Sequence, residues 1–105
     1  MAITPKWLAD GQAAATQTAI YTVGSDPATV VGGMINLHNT NAGIQAVTVA
    51  VNGTGTIRTI HKLSLLQNDS AIVDIPVLNA GDIVYLTTTT GSALNYVFHG
   101  GLVTA

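Results

Sequence analysis

From Thr16 onward the sequence alternates between β-rich runs and clusters of turn residues, at spacings of roughly 8–12 residues, and this rhythm narrows the possible folds more than any other feature. The clearest run is Gln45–Val51, with Val47, Val49 and Val51 on one face of a strand and Thr48 and Ala50 on the other. Before it lie Thr16–Val23, closed by Gly24-Ser25-Asp26-Pro27, and Ala28–His38, whose Gly32-Gly33 pair predicts a bulge or a close backbone approach. After the turn signal Asn52-Gly53-Thr54-Gly55, the run Thr56–Leu66 sets Ile57, His61, Leu63 and Leu65 opposite Arg58, Lys62 and Ser64, with Ile60 out of phase. Gln67-Asn68-Asp69-Ser70 then turns into Ala71–Leu78, where Pro76 lacks a ladder N–H and predicts an edge strand or a strand end. Asn79-Ala80-Gly81-Asp82 leads to Ile83–Thr90, and Gly91-Ser92 to Ala93–Thr104. About seven strands with tight turns and no amphipathic helix predict an all-β antiparallel sandwich, jelly-roll or Ig-like in topology.

Residues 1–15 read differently. They lack this alternation and end in Ala13-Ala14-Ala15, so the expected organisation is an N-terminal arm over 1–15 and one sandwich domain over 16–105. The arm carries the sole tryptophan, Trp7, beside Leu8. Burying a Trp removes roughly 150–250 Å² from water, about 4–6 kcal/mol as an upper bound. An arm of small and polar residues has no core of its own, so Trp7 must dock on its own sandwich or on a neighbour. Trp7 and Leu8 are therefore the candidate partner contacts, and removing the arm is expected to leave the fold of 16–105 intact.

Composition sharpens the question of partners. Hydrophobic residues are an ordinary 48%, but charged residues are only 8%, with no Glu and only Lys6, Arg58 and Lys62 as bases, against about 25% charge in typical domains. Such a surface loses little solvation when covered, which suits a subunit packed against others. A formal net charge of -2 with three basic side chains cannot supply the phosphate contacts of a nucleic-acid binder. No apolar run approaches the ~20 residues of a membrane span, and the first fifteen residues do not read as a secretory signal. With no cysteine, disulfides and thiolate metal sites are excluded, in keeping with a reducing site of synthesis.

Catalytic chemistry finds little to work with. The serines Ser25, Ser64, Ser70 and Ser92 carry no Gly-x-Ser-x-Gly frame. Asp69, Asp74 and Asp82 are the sequence-near carboxylates, two of them in turns, where Asp bonds its own backbone. His38, His61 and His99 share no metal-ligand spacing. No catalytic, cofactor or metal residue is assigned, and no cofactor is expected. Gly81-Asp82 has an architectural reading: Gly81 supplies the positive φ of the reversal and Asp82 accepts from turn amides.

Three segments resemble small tailed-bacteriophage virion proteins: Leu8-Ala9-Asp10-Gly11-Gln12 leading to Ala19-Ile20-Tyr21-Thr22-Val23; Ile35-Asn36-Leu37-His38-Asn39-Thr40 followed by Val47-Thr48-Val49-Ala50-Val51; and Leu78-Asn79-Ala80-Gly81-Asp82-Ile83-Val84. The last is also similar to a turn of trimeric C1q/TNF-like jelly rolls. The resemblance implies a non-enzymatic virion structural role: a capsid decoration (cement) protein, trimeric, bridging major capsid subunits on a virion assembled in the host cytoplasm. A tail or baseplate component is the alternative within that class. A carbohydrate- or receptor-binding jelly roll is the alternative outside it, with Tyr21, Tyr85 and Tyr96 as its candidate aromatics.

Overall fold

The computed structural model describes residues 2–24, 28–53 and 55–104. The predicted turn residues 25–27 and Thr54 lie outside the described residues. The chain forms β1 (Ala2–Gln12), β2 (Thr18–Thr22), β3 (Ala28–Asn39), β4 (Gln45–Asn52), β5 (Ile57–Leu65), β6 (Ser70–Ile75), β7 (Leu78–Asn79), β8 (Ile83–Thr87) and β9 (Leu94–Thr104). One sheet runs β1-β9-β3-β6, with the short β7 also on β3; the other runs β2-β8-β4-β5. Every pairing is antiparallel. Setting β7 aside, the chain crosses between two four-stranded layers at every step except the β4–β5 hairpin, and the strand order in each layer is that of a jelly roll, which decides between the two topologies left open by the sequence.

The inner faces close on Phe98, Ile35, Leu37, Val30, Leu94, Val47, Val49, Val84 and Leu86, all essentially without solvent contact. Tyr21 meets Phe98 edge-on, with ring centroids 5.5 Å apart at 72°, the favoured geometry for two quadrupoles. Three polar side chains, Asn39, Gln45 and Thr88, are buried, and Asn39 links the two layers. Asn39 donates from Nδ2 to the carbonyls of Gly43 and Leu65, both at 2.9 Å, and its Oδ1 accepts from Asn41 N at 2.8 Å. Gln45 Oε1 accepts from the Thr88 hydroxyl at 3.0 Å and Thr90 N at 2.9 Å.

The irregularities sit where the sequence has its oddities. The β3–β9 register shifts between Val31 and Met34, at the glycine pair, with Gly32 at φ 61°. The β4–β5 register shifts between Val49 and Ala50 because Ile60 is an extra residue of β5, and it turns onto the core. Strand β6 ends at Ile75, before Pro76, and is an edge strand. Gly81 has φ 89°, and Asp82 Oδ2 accepts from Asn79 N at 2.8 Å.

The strandless arm expected over 1–15 is corrected. Residues Ala2–Gln12 form the edge strand β1, paired with β9 from Ala2↔Thr104 to Gln12↔Asn95. Leu8 is the extra residue of a bulge between Trp7 and Ala9, and both Leu8 and Ala9 pack against the core. The chain then passes to the second layer through Ala13, which is buried and bonded to Leu94 O at 2.9 Å, and Ala14, whose carbonyl accepts from Thr88 N at 3.0 Å.

Candidate functional site on the outer face of the β1-β9-β3-β6 sheet

Strand alternation assigns each side chain of this sheet to a face. One row across it reads Ala9, Phe98, Ile35, Val73 and points into the sandwich. The rows to either side point outward: Trp7, His99, Met34, Asp74, and then Asp10, Val97, Asn36, Ile72. A third outward row, Gln12, Asn95, His38, Ser70, is polar and internally bonded, with Gln12 Nε2 donating to Asn95 Oδ1 at 3.3 Å and His38 Nδ1 lying 2.7 Å from Ser70 Oγ. At the opposite end the face carries Ile3, Pro5 and Val31 around a shallow hollow of about 610 Å³. Its floor is low because Gly101 has no side chain; a Cβ there would stand 3.0 Å from Ile3 Cγ2 and 3.3 Å from Val31 Cγ2.

This face is apolar and open to water. Ile3, Trp7, Met34 and Ile72 are 63%, 65%, 38% and 66% exposed. The outward positions of the other sheet are by contrast mostly small or polar, Ala46, Thr48, Lys62, Ser64, Tyr85 and Thr87, with Ile57 and Ile83 apolar at one end. Trp7 is held in place: its indole N–H donates to Asp10 Oδ2 at 2.7 Å. A fixed, exposed aromatic loses little rotamer freedom when covered, the condition under which aromatics dominate interfaces. Of the two candidate contacts, Trp7 therefore faces solvent in the subunit, whereas Leu8 packs inward. Gly81 and Asp82 lie in the β7–β8 turn, where Asp82 Oδ2 accepts from Asn79 N.

The remaining candidates are separately engaged. Asp69 Oδ2 accepts from Leu66 N at 3.1 Å, closing its turn as Asp82 does. His61 donates from Nε2 to the Asp74 carbonyl at 2.6 Å, a clasp between β5 of one sheet and β6 of the other. Tyr21, Tyr85 and Tyr96 are half-buried, which weakens the sugar-binding reading that leaned on them. Reading the sequence alone missed Met34 and Ile72. The available signal was Ile72 itself, apolar in the outward phase between Ser70 and Asp74.

Burial, and secondarily the negative charge of Asp10, pushes the Tyr96 hydroxyl above the ordinary tyrosine range. The folded chain thus keeps this proton to higher pH than the unfolded chain. The corresponding stability is complete below about pH 10 and is lost as pH rises above it toward the folded-state value. Denaturant midpoints measured from pH 8 to 11 are expected to fall more steeply for the native chain than for Tyr96→Phe.

No family model and no curated protein matches the chain. The sandwich does superpose on solved structures. A chain of the disulfide-linked pili of Bacillus endospore appendages aligns with a TM-score of 0.63 at 20% identity, over 97% of this chain and 88% of its own. A chain of infectious bursal disease virus, Gx strain, aligns with a TM-score of 0.52 at 12% identity, over 96% of this chain but only 31% of its own. At these identities the likeness establishes the fold.

Proposed function

We propose that the chain is a non-enzymatic structural subunit of a virion-type particle, and most specifically a capsid decoration protein that sits as a homo-oligomer over major capsid subunits. The observation that carries this reading is the concentration of exposed Ile3, Trp7, Met34 and Ile72 on one sheet face of a subunit with 8% charged residues. An apolar face of that kind marks an interaction surface. The similarity of the sandwich to proteins from a pilus and a virus supports a place in a repetitive assembly. Those pili are disulfide-linked, but these 105 residues contain no cysteine, so contact area alone would hold this subunit. The turn carboxylates of Asp69 and Asp82 are committed to backbone amides, which supports a role without catalysis.

Quantifying the protein in purified particles tests the reading. The expected result is a fixed copy number relative to the major capsid protein. Trp7→Ala is expected to weaken attachment about 30-fold, the equivalent of ~2 kcal/mol at an interface hot spot, while moving the melting temperature of the isolated protein by only a few degrees. Copies that track tails would move the assignment to a tail or baseplate component, and absence from particles would overturn it.

A further inference from the structure

We propose that Pro5 bars the free edge of β1 from pairing with β1 of a second copy, so that the subunit meets its neighbours through side-chain faces and not by strand addition. The inference rests on the assembly reading above only for that consequence; the bar itself is a property of the isolated chain.

The free edges of the sandwich are β1 and β6 in one sheet and β2 and β5 in the other. Such an edge offers unpaired N–H and C=O groups to any other strand. On three of them the edge strand itself carries an extra residue that bends it out of line: Leu8 in β1, Ile20 in β2 and Ile60 in β5. The remaining edge strand, β6, has six residues and stops before Pro76. Strand β1 is the longest of the four at eleven residues, and Ala2–Trp7 runs in unbroken register ahead of its bulge. An added strand would find most room there.

Pro5 stands in the middle of that stretch, opposite Gly101. Proline donates no hydrogen bond and sits in a ladder where its nitrogen faces away from the partner strand. Pro5 N therefore faces the open edge. By alternation the backbone groups of Ile3 and Trp7 face it too, while those of Thr4 and Lys6 turn to β9. Leu8 and Ala9 both pack inward, so the bulge begins beyond Trp7.

Without the proline this edge is complementary to itself. Antiparallel pairing of two β1 strands centred on residue 5 sets Ile3 of each copy against Trp7 of the other, an apolar–aromatic cross-strand pair of the stabilising kind. It sets Thr4 against Lys6, so no like charges are opposed. At the centre Pro5 meets Pro5, where both N–H groups are missing and two rings fill the space. One residue type at one position stands against the pairing.

Amide hydrogen exchange on the full chain over a concentration series, with sedimentation alongside, tests the bar. In the native chain the Ile3 and Trp7 amides are expected to exchange at one rate at every concentration. In Pro5→Thr they should slow about tenfold or more at high concentration, as species of twice the 10.7 kDa mass form. Moving the proline along the same edge, Ile3→Pro with Pro5→Thr, should return the Trp7 amide to its native rate. Both positions are exposed, and thermal melts confirm that the variants fold. Concentration-dependent protection of Ile3 or Trp7 in the native chain would overturn the proposal. So would Pro5→Thr without protection, or a moved proline that fails to remove it. The assembly reading falls separately, by absence from particles.

Discussion

A chain lacking residues 2–12 is expected to lose cooperative folding, or to melt more than about 20 °C below the intact protein. Strand β1 satisfies the outer edge of β9 along its whole length, from Ala2↔Thr104 to Gln12↔Asn95. Its bulge plugs Leu8 and Ala9 into the core cluster. Deletion would leave β9 as a bare edge and open the core beside Phe98, whose register partner is Ala9. Domains of this size hold only about 5–15 kcal/mol in total, and each kcal/mol lost moves the melting temperature by roughly 4–8 °C. Circular dichroism in the near-ultraviolet and a thermal scan decide the point. A truncated chain melting within a few degrees of the intact one would return β1 to the status of a dispensable arm.

Asn39→Ala is expected to destabilise the fold by about 3–4 kcal/mol, a fall in melting temperature of roughly 15–25 °C. The side chain is fully buried and makes three hydrogen bonds, to Gly43 O, Leu65 O and Asn41 N. These fasten the end of β3 to the end of β5 and shape the turn into β4. Alanine removes all three and strands at least one buried carbonyl, whose desolvation is then uncompensated. Asn39→Asp separates the two halves of the site, since it retains the acceptor for Asn41 N but loses both donors. Chemical denaturation should place it between the native chain and Asn39→Ala only if water reaches the two carbonyls.

The strands whose apolar residues face inward were legible in the sequence, because alternation and burial coincide there. Val47 and Val49 of β4 are buried as their spacing predicted, and Gly32-Gly33 and Pro76 mark the bulge and the strand end. Strand β1 was not legible, for a specific reason. Ile3, Pro5 and Trp7 do alternate with Thr4 and Lys6, but the apolar members point outward, a proline interrupts the run, and the bulge at Leu8 resets the phase. An apolar residue at alternate positions reads as core whichever side it is on, so the exposed face emerged only once register fixed which side was inside. Trp7 stood out in the sequence because no core in its own neighbourhood accounts for it, whereas Met34 and Ile72 sit in strands that already have buried faces.

The pairing of β1 with β9 also sets an order of events during synthesis. A ribosome adds about 5–20 residues per second, so Ile3, Trp7 and Leu8 are exposed for seconds before Leu94–Thr104, their partner strand, has been made. Sandwiches dominated by such distant pairings close in milliseconds to seconds, a delay comparable with translation itself. The subunit therefore cannot complete itself piecemeal as it emerges: its first strand waits on its last. The outer face of that sheet, to which β1 and β9 contribute two of four strands, comes into being in that final step, so an incompletely synthesised chain presents no finished surface.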